Sequence, residues 1–251
     1  MNLRLEKSGP VARLLIDRPE ARNAINMAMW EALPGLIADA ESDSAIRVLE
    51  LRSAEGTGAF CAGADIKEML ANKDNMAWRE ANQAEINRVQ IELARIDLPT
   101  IAFIDGDCIG GGCGLALACD IRVATGRARF GITPGKLGLV YPLHDVKLLT
   151  DLVGPGQAKR ILFTAQLLNA QEAQRIGLVE VLAESSDALI EQILATSTHS
   201  AVENKRFVRR VLDGQAQDDA ETLGIFGAAF TRQDFAEGAA AFAEKRKPEF
   251  S

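Results

Sequence analysis

Histidine, tyrosine, cysteine and positive charge are all in short supply in this chain, and each shortage removes a class of chemistry. The only imidazoles are His144 and His199, so a two-histidine metal centre or a Ser-His-Asp triad has few ways to be built. Four cysteines occur, Cys61, Cys108, Cys113 and Cys119, three of them inside a Gly/Ala-rich apolar stretch. Their spacing matches neither a redox pair nor a zinc ligand set, and they read as small buried packing groups with no metal site expected. Lys plus Arg numbers 28 against 35 for Asp plus Glu, a net charge of -7 that argues against a nucleic-acid partner. No apolar run approaches the roughly 18 to 20 residues that span a bilayer. The first ten residues lack the apolar middle of a signal peptide, so a cytoplasmic chain with no membrane partner is expected. What is present is a chain of 251 residues, 47% hydrophobic and 25% charged, enough for one sizeable α/β core and a smaller appendage.

Strand-like and helical runs alternate. Val11–Asp17 is followed by the helical Asn26–Glu41, then Ile46–Ser53, then Ile66–Ile96 with one break, then Thr100–Gly106. This is βαβ punctuation. Asn26 stands where an N-cap belongs, and Pro34 predicts a kink or restart in the helix behind it. Cys108–Cys119 opens Gly-rich and turns Leu/Ala-rich, as a loop leading into a short buried helix does, before the strand-like Asp120–Thr125. Later breaks fall at Gly154-Pro155-Gly156 and Asp213-Gly214. The core is drawn over residues 1–195 and a helical C-terminal region over 196–251, where Phe230, Phe235 and Phe242 alternate with charge.

Two glycine-containing turns each precede a helix. One is Gly110-Gly111-Gly112 with Gly114; the other is Phe60-Cys61-Ala62-Gly63-Ala64-Asp65-Ile66-Lys67. Neither contains a dinucleotide or P-loop fingerprint. Such turns leave backbone amides unpaired at a helix start, where negative charge is favoured. They either aim two amides at one oxygen or simply bring helices close to a sheet.

These turns, together with Asp17-Arg18-Pro19-Glu20-Ala21-Arg22-Asn23-Ala24, the Phe130–Gly138 loop and the Glu237–Phe250 segment, resemble the crotonase, or enoyl-CoA hydratase/isomerase, superfamily in order and along almost the whole chain. The resemblance implies an α/β fold, a spiral of ββα units with a C-terminal helical trimerisation region, assembled as a homotrimer or a dimer of trimers. It implies an acyl-CoA ligand, with coenzyme A as part of the substrate and no separate cofactor. Ala64 and Gly111 then supply the two backbone N–H groups that stabilise a thioester oxyanion. Ala62, Ala64 and Ile66, with Asp65 among them, match the positions that hold the adenine. Arg22 and Ala24 lie where the family grips the pantetheine and phosphate end. Lys245 and Arg246 fall in a C-terminal motif that reaches the phosphates of a neighbouring subunit's CoA, with a solvated helix end as the plainer reading.

The departures matter as much as the matches. Family hydratases carry one glutamate after the glycine run and another after the Phe-Gly turn, and here those positions are Gly114 and Pro134. Neither residue carries a proton. Thr133-Pro134, Leu137-Gly138 and Tyr141 are spaced like the loop of methylmalonyl-CoA decarboxylase members, which gives the single tyrosine a role beside a leaving carboxylate. Those decarboxylases carry His where this chain has Ala64 and glutamate where it has Gly114. His144 and Asp145 are candidate acid/base groups if their helix begins at the pocket, the plainer reading being an exposed His and a capping Asp. The expected function is therefore an acyl-CoA enzyme with an oxyanion or enolate intermediate, a non-hydratase, decarboxylase-like lyase. The alternatives are a thioester hydrolase, an isomerase, or a catalytically silent acyl-CoA binding subunit.

Overall fold

The computed structural model describes residues 2–250. Strands β1 (Leu3–Ser8) and β2 (Val11–Ile16) form an antiparallel hairpin, and helix α1 (Met27–Ser42) follows. Asn26 caps α1 by accepting from the Met29 amide at 3.0 Å. Of the kink or restart expected at Pro34, the restart does not occur: α1 runs on through it, and Pro34 lies buried on the same face as Trp30, Leu33 and Ile37. Core burial along that face offsets the one backbone bond that proline removes.

Three ββα turns then repeat. The first is β3 (Val48–Ser53), β4 (Ala59–Cys61) and the helices α2 (Ile66–Ala71) and α3 (Met76–Arg95). The second is β5 (Thr100–Ile104), β6 (Asp107–Ile109) and α4 (Gly111–Ala118). The third is β7 (Ile121–Ala124), β8 (Arg129–Gly131) and α5 (Leu143–Thr164), with a short 3-10 turn at Pro134–Leu137. Each turn donates its longer strand to one sheet and its shorter strand to another. Two short strands, β9 (Leu168–Asn169) and β10 (Val181–Leu182), follow with α6 (Ala170–Arg175) between them. The larger sheet has the order β1-β2-β3-β5-β7-β10, with all pairs after the hairpin parallel. The smaller has the order β4-β6-β8-β9, in which β4, β6 and β8 run parallel. Both strands β3 and β5 are buried almost throughout, as parallel strands covered on two faces must be.

The break expected at Gly154 lies inside α5, where Gly154 adopts φ 72° and the helix resumes at Pro155. The C-terminal end of α4 is closed by Arg122, itself 2% exposed, which donates to the carbonyls of Ala116 (3.3 Å) and Cys119 (2.8 Å) and pairs with Glu180. All four cysteines are free and buried.

The chain divides into two compact units. One runs to Ser186 and lacks only Asp97–Pro99; the other takes those three residues and everything from Asp187 onward. The second unit consists of α7 (Asp187–Leu194), α8 (Thr198–Leu212), α9 (Ala220–Ala229) and α10 (Gln233–Glu244). The boundary drawn from the sequence at 195 left α7 with the core, whereas here it groups with the helices that follow.

Candidate active site

The three parallel strands of the small sheet end side by side, and each is followed by a loop: Ala62–Asp65 after β4, Gly110 after β6, and Ile132–Thr133 after β8. Crevices beyond the carboxyl ends of parallel strands are where open sheets place ligands. The first loop is pinned from the opposite side. Ile25 donates to the Gly63 carbonyl at 2.8 Å and accepts from the Asp65 amide at 2.9 Å, an isolated parallel bridge that leaves the Ala64 amide turned away. Gly63 (φ 101°) must be glycine, because a Cβ there would sit 2.9 Å from the Ile109 carbonyl oxygen. Gly112 lies against β4 so closely that a Cβ would stand 2.5 Å from the Cys61 carbonyl oxygen.

This close approach sets two amides together. The Cβ position of Gly111 is 3.4 Å from the Ala64 nitrogen and 3.4 Å from Cζ2 of the buried Trp30 ring. Neither the Ala64 nor the Gly111 amide donates to a backbone carbonyl, and Gly111 opens helix α4, whose first N–H groups have no intrahelical partner. Two adjacent unpaired donors at a positive helix end suit an oxygen that gains negative charge.

The residues around the pair are occupied in holding it. Asn23 is fully buried with φ 59°; its amide donates to the carbonyls of Ala59 (2.8 Å) and Phe60 (3.3 Å) and accepts from the Arg18 amide (2.8 Å). Arg18 donates to the Ala24 carbonyl at 2.9 Å and to Asp65 at 2.7 Å. Asp65 also caps α2 through the amides of Lys67 and Glu68. Burial pulls the Asp65 carboxyl upward, but the Arg18 guanidinium and these amides outweigh it and hold it below its usual range. Its side chain is thus committed to the fold. Arg22 accepts from the Ala62 amide through its carbonyl (3.1 Å), while its guanidinium pairs with Asp107, which Arg129 also holds. Ala62 and Ala64 are half-buried and Ile66 is exposed, beside the occupied ion pairs. Glu68 caps α1 by accepting from the Met27 amide at 2.8 Å.

One turn further along α4, at Gly114, the arrangement departs from expectation. Asp145 is not a cap: α5 starts after Pro142 with no side-chain cap, and Asp145 points inward, 1% exposed. His144 is part-buried, not exposed, with Nδ1 3.6 Å from Asp145 Oδ1. The reason is packing, since Gly114 leaves open space on α4: a Cβ at Gly114 would lie 2.1 Å from Gln90 Nε2 and 2.9 Å from Asp145 Oδ2. Gln90, which the sequence reading missed, is fully buried on α3 between Val89 and Leu93. A lone amide among apolar neighbours on a helix face was the available signal. Neither Asp145 oxygen, nor either polar atom of Gln90, has a hydrogen-bond partner of good geometry. Burial lifts the Asp145 carboxyl to about 7, against the opposing pull of Gln90 and Tyr141. Tyr141 donates to the Gly110 carbonyl at 3.0 Å, and desolvation followed by the Asp145 charge pushes its phenol upward, so it stays neutral. Desolvation, with Arg95 and Lys147 nearby, lowers the His144 imidazole.

In the second unit, Lys245 ends α10 in a left-handed conformation (φ 56°), and Arg246 pairs with Glu237 (2.5 Å) and Glu244 (2.7 Å).

The chain matches the family model "Enoyl-CoA hydratase/isomerase" over residues 6–251. It is 36% identical to the short-chain-enoyl-CoA hydratase of Clostridium acetobutylicum, covering 99% of this chain and 97% of that protein. It is 34% identical to the crotonyl-CoA hydratase of Syntrophomonas wolfei, with the same coverage. The crystal structure of an enoyl-CoA hydratase/isomerase family protein from Hyphomonas neptunium superimposes with a TM-score of 0.95 at 37% identity, covering all of this chain and 98% of that one. The chain belongs to the enoyl-CoA hydratase/isomerase family and has its crotonase fold.

Proposed function

We propose that this member of the family is an acyl-CoA lyase that works through a thioester enolate without hydrating its substrate, decarboxylation of a malonyl-type thioester being the reaction class. The observation that carries this reading is the pair Gly114 and Pro134, standing where the family resemblance puts the two hydratase glutamates. Hydration needs one group to deprotonate water and another to deliver a proton, each worth about 10² to 10⁴ in rate. Decarboxylation needs neither a bound water nor a base. The carbon–carbon bond breaks, its electron pair enters the thioester, and the enolate oxygen rests on the Ala64 and Gly111 amides. In this reading Ala62, Ala64 and Ile66 line the adenine end and Arg22 and Ala24 the pantetheine end. Tyr141 orients the leaving carboxylate once its hydroxyl exchanges the Gly110 carbonyl for it.

The exposed Phe226, Phe230, Phe235 and Phe242 support assembly as a homotrimer or a dimer of trimers. The first three form an edge-to-face ladder with centroids 5.5 and 5.2 Å apart. A cluster of exposed aromatic rings in mutual contact is the kind of surface that marks an interaction site. Light scattering is expected to give a multiple of three.

A second reading, hydration, draws on the names of the relatives above. The purified protein separates the two when offered crotonyl-CoA and methylmalonyl-CoA in parallel. The expected result is release of carbon dioxide from the second and loss of enoyl absorbance from the first at well below about 1 per second, the low end of ordinary turnover. Crotonyl-CoA hydration within the ordinary range would overturn the lyase reading. Hydrolysis of either ester would point to a thioesterase, and tight binding with no turnover to a silent binding subunit.

A further inference from the structure

We infer that Asp145 is the proton donor of this site, delivering its carboxyl proton to the α carbon of the thioester enolate from beneath Gly114. The inference deepens the lyase reading and rests on it. Its ground is a juxtaposition across three elements. Gly114 lies one helical turn beyond Gly111, on the face of α4 that carries the oxyanion amide. The loss of a side chain there has not left a void. Asp145 from α5 and Gln90 from α3 fill it, with Asp145 Oδ2 2.9 Å from where the Cβ would be. A carboxyl group therefore stands near the position from which the family's glutamate would have extended, but it is rooted in a different helix.

Two further observations distinguish this carboxyl from a structural one. Asp65 and Asp120, two structural carboxylates of the same unit, are engaged: Asp65 pairs with Arg18 and caps α2, and Asp120 accepts from both the amide and the hydroxyl of Thr100. Asp145 is 1% exposed, yet both its oxygens lack such partners, and no arginine or lysine among the described residues forms an ion pair with it. A buried carboxyl without a cation is held in its neutral, proton-carrying form. The titratable groups that face it are Tyr141 from the preceding loop and His144 from its own helix; Gln90 is the polar group on α3. None supplies a fixed positive charge, so the group keeps its proton to about neutrality.

The step balances. Cleavage releases carbon dioxide and leaves an electron pair delocalised over the α carbon and the thioester oxygen. The Asp145 O–H bond breaks as a C–H bond forms at the α carbon, the carbonyl is restored, and the carboxylate regains its proton from water. Gln90, as a positioning residue, hydrogen-bonds the transient carboxylate with its otherwise unpartnered amide.

The test is exchange of the α protons of butyryl-CoA with heavy water at about pH 8, followed by mass spectrometry, alongside calorimetric binding of the same ester. At that pH ionised Asp145 takes an α proton and returns a deuteron by the reverse of the proposed step. The parent is expected to exchange, and Asp145→Asn, which keeps size and polarity, to bind butyryl-CoA unchanged while losing exchange by about 10²-fold or more. Infrared difference spectra of the unliganded protein should show a protonated carboxyl band that vanishes near neutral pH and is missing from Asp145→Asn. Exchange that persists in Asp145→Asn, or a carboxyl already ionised at pH 5 to 6, overturns the assignment. So does a parent that binds butyryl-CoA without exchanging it. Each of these outcomes is separate from the lyase reading, which stands or falls on carbon dioxide release from methylmalonyl-CoA.

Discussion

The two flanks of helix α4 are built on opposite principles. Around Ala64 and Gly111 the charged and amide side chains form a satisfied network: Asn23, Arg18, Asp65 and Asp107 are each tied to backbone or to a counter-charge, while the buried Trp30 indole N–H has no hydrogen-bond partner. Around Gly114, the atoms of Gln90 and Asp145 are buried without partners. The loop leading into α5 exposes Leu137, Leu139, Val140 (92%) and Leu143 (84%). A fully satisfied network is rigid and tolerates no change in position, which suits the part of the site that only has to hold an oxyanion. An under-satisfied cluster beside an exposed apolar loop costs stability, and under the lyase reading proposed above this is where the intermediate is protonated. In that reading the oxyanion amides and the proton donor belong to successive turns along one face of a short helix.

This contrast is broken most sharply on the satisfied side. Ala64→Pro deletes one of the two amides and is expected to lower turnover of the active thioester by about 10² to 10³. Ala64→Gly keeps the amide and should stay within a few-fold of the parent; equal activity in both variants would remove the amide pair from the mechanism.

The opposite flank should show its cost in the pH dependence of stability. Burial raises the Asp145 carboxyl in the fold to about 7, from an ordinary value of about 4. The stability that its neutral form contributes is whole below about pH 4, is lost as pH rises toward about 7, and is gone above that. At about 1.4 kcal/mol per unit the loss is about 4 kcal/mol at most. Denaturant midpoints near pH 5 and pH 8 should therefore differ in the parent more than in Asp145→Asn, which has no proton to lose.

Asn23→Ala leaves the Ala59 carbonyl and the Arg18 amide without their buried partner, a cost of about 1 to 3 kcal/mol. Urea unfolding measures it. Coenzyme A ester binding should weaken with it if the turn holds the Ala62–Ala64 loop in place. An unchanged midpoint would mean that the loop is held some other way.

The smallest effect sharpens the comparison by trying to convert one kind of flank into the other. Gly114→Glu alone collides with Gln90 Nε2, so the carboxylate is expected to enter productively only with Gln90→Ala and Pro134→Glu. That triple variant should raise crotonyl-CoA hydration by about tenfold over the parent, less than the full worth of two acid/base groups, because the surrounding dipoles were not arranged for water. No gain in a folded triple variant would leave the equivalence of positions 114 and 134 to the hydratase glutamates unsupported.

Much of this was legible along the chain, and the legible part has a common physical character. The Asn26 cap, the Gly154 break, the burial of the cysteines and the turns at Gly63 and Gly110–Gly112 follow from groups acting on their own neighbours. A cap needs one side chain and a left-handed turn needs one missing Cβ. At Pro34 the helix did not restart, because the local rule against proline in a helix was outweighed by burial against the core. The small sheet was hidden for a related reason. Strands β4, β6 and β8 are three residues each, too short for a periodic signal, and exist only because they pair across the turns of the spiral.

The sequence by itself determined that two amide-bearing turns precede helices and that positions 114 and 134 are glycine and proline, which carry no proton, since both are properties of residue identity and local backbone freedom. Only the tertiary structure decided what packs into the space beside Gly114. Asp145 reads as an ordinary helix-start carboxylate until α3, α4 and α5 close around it. Burial and the proton it retains are then set by the absence of water and of a counter-charge, which no single stretch of chain encodes.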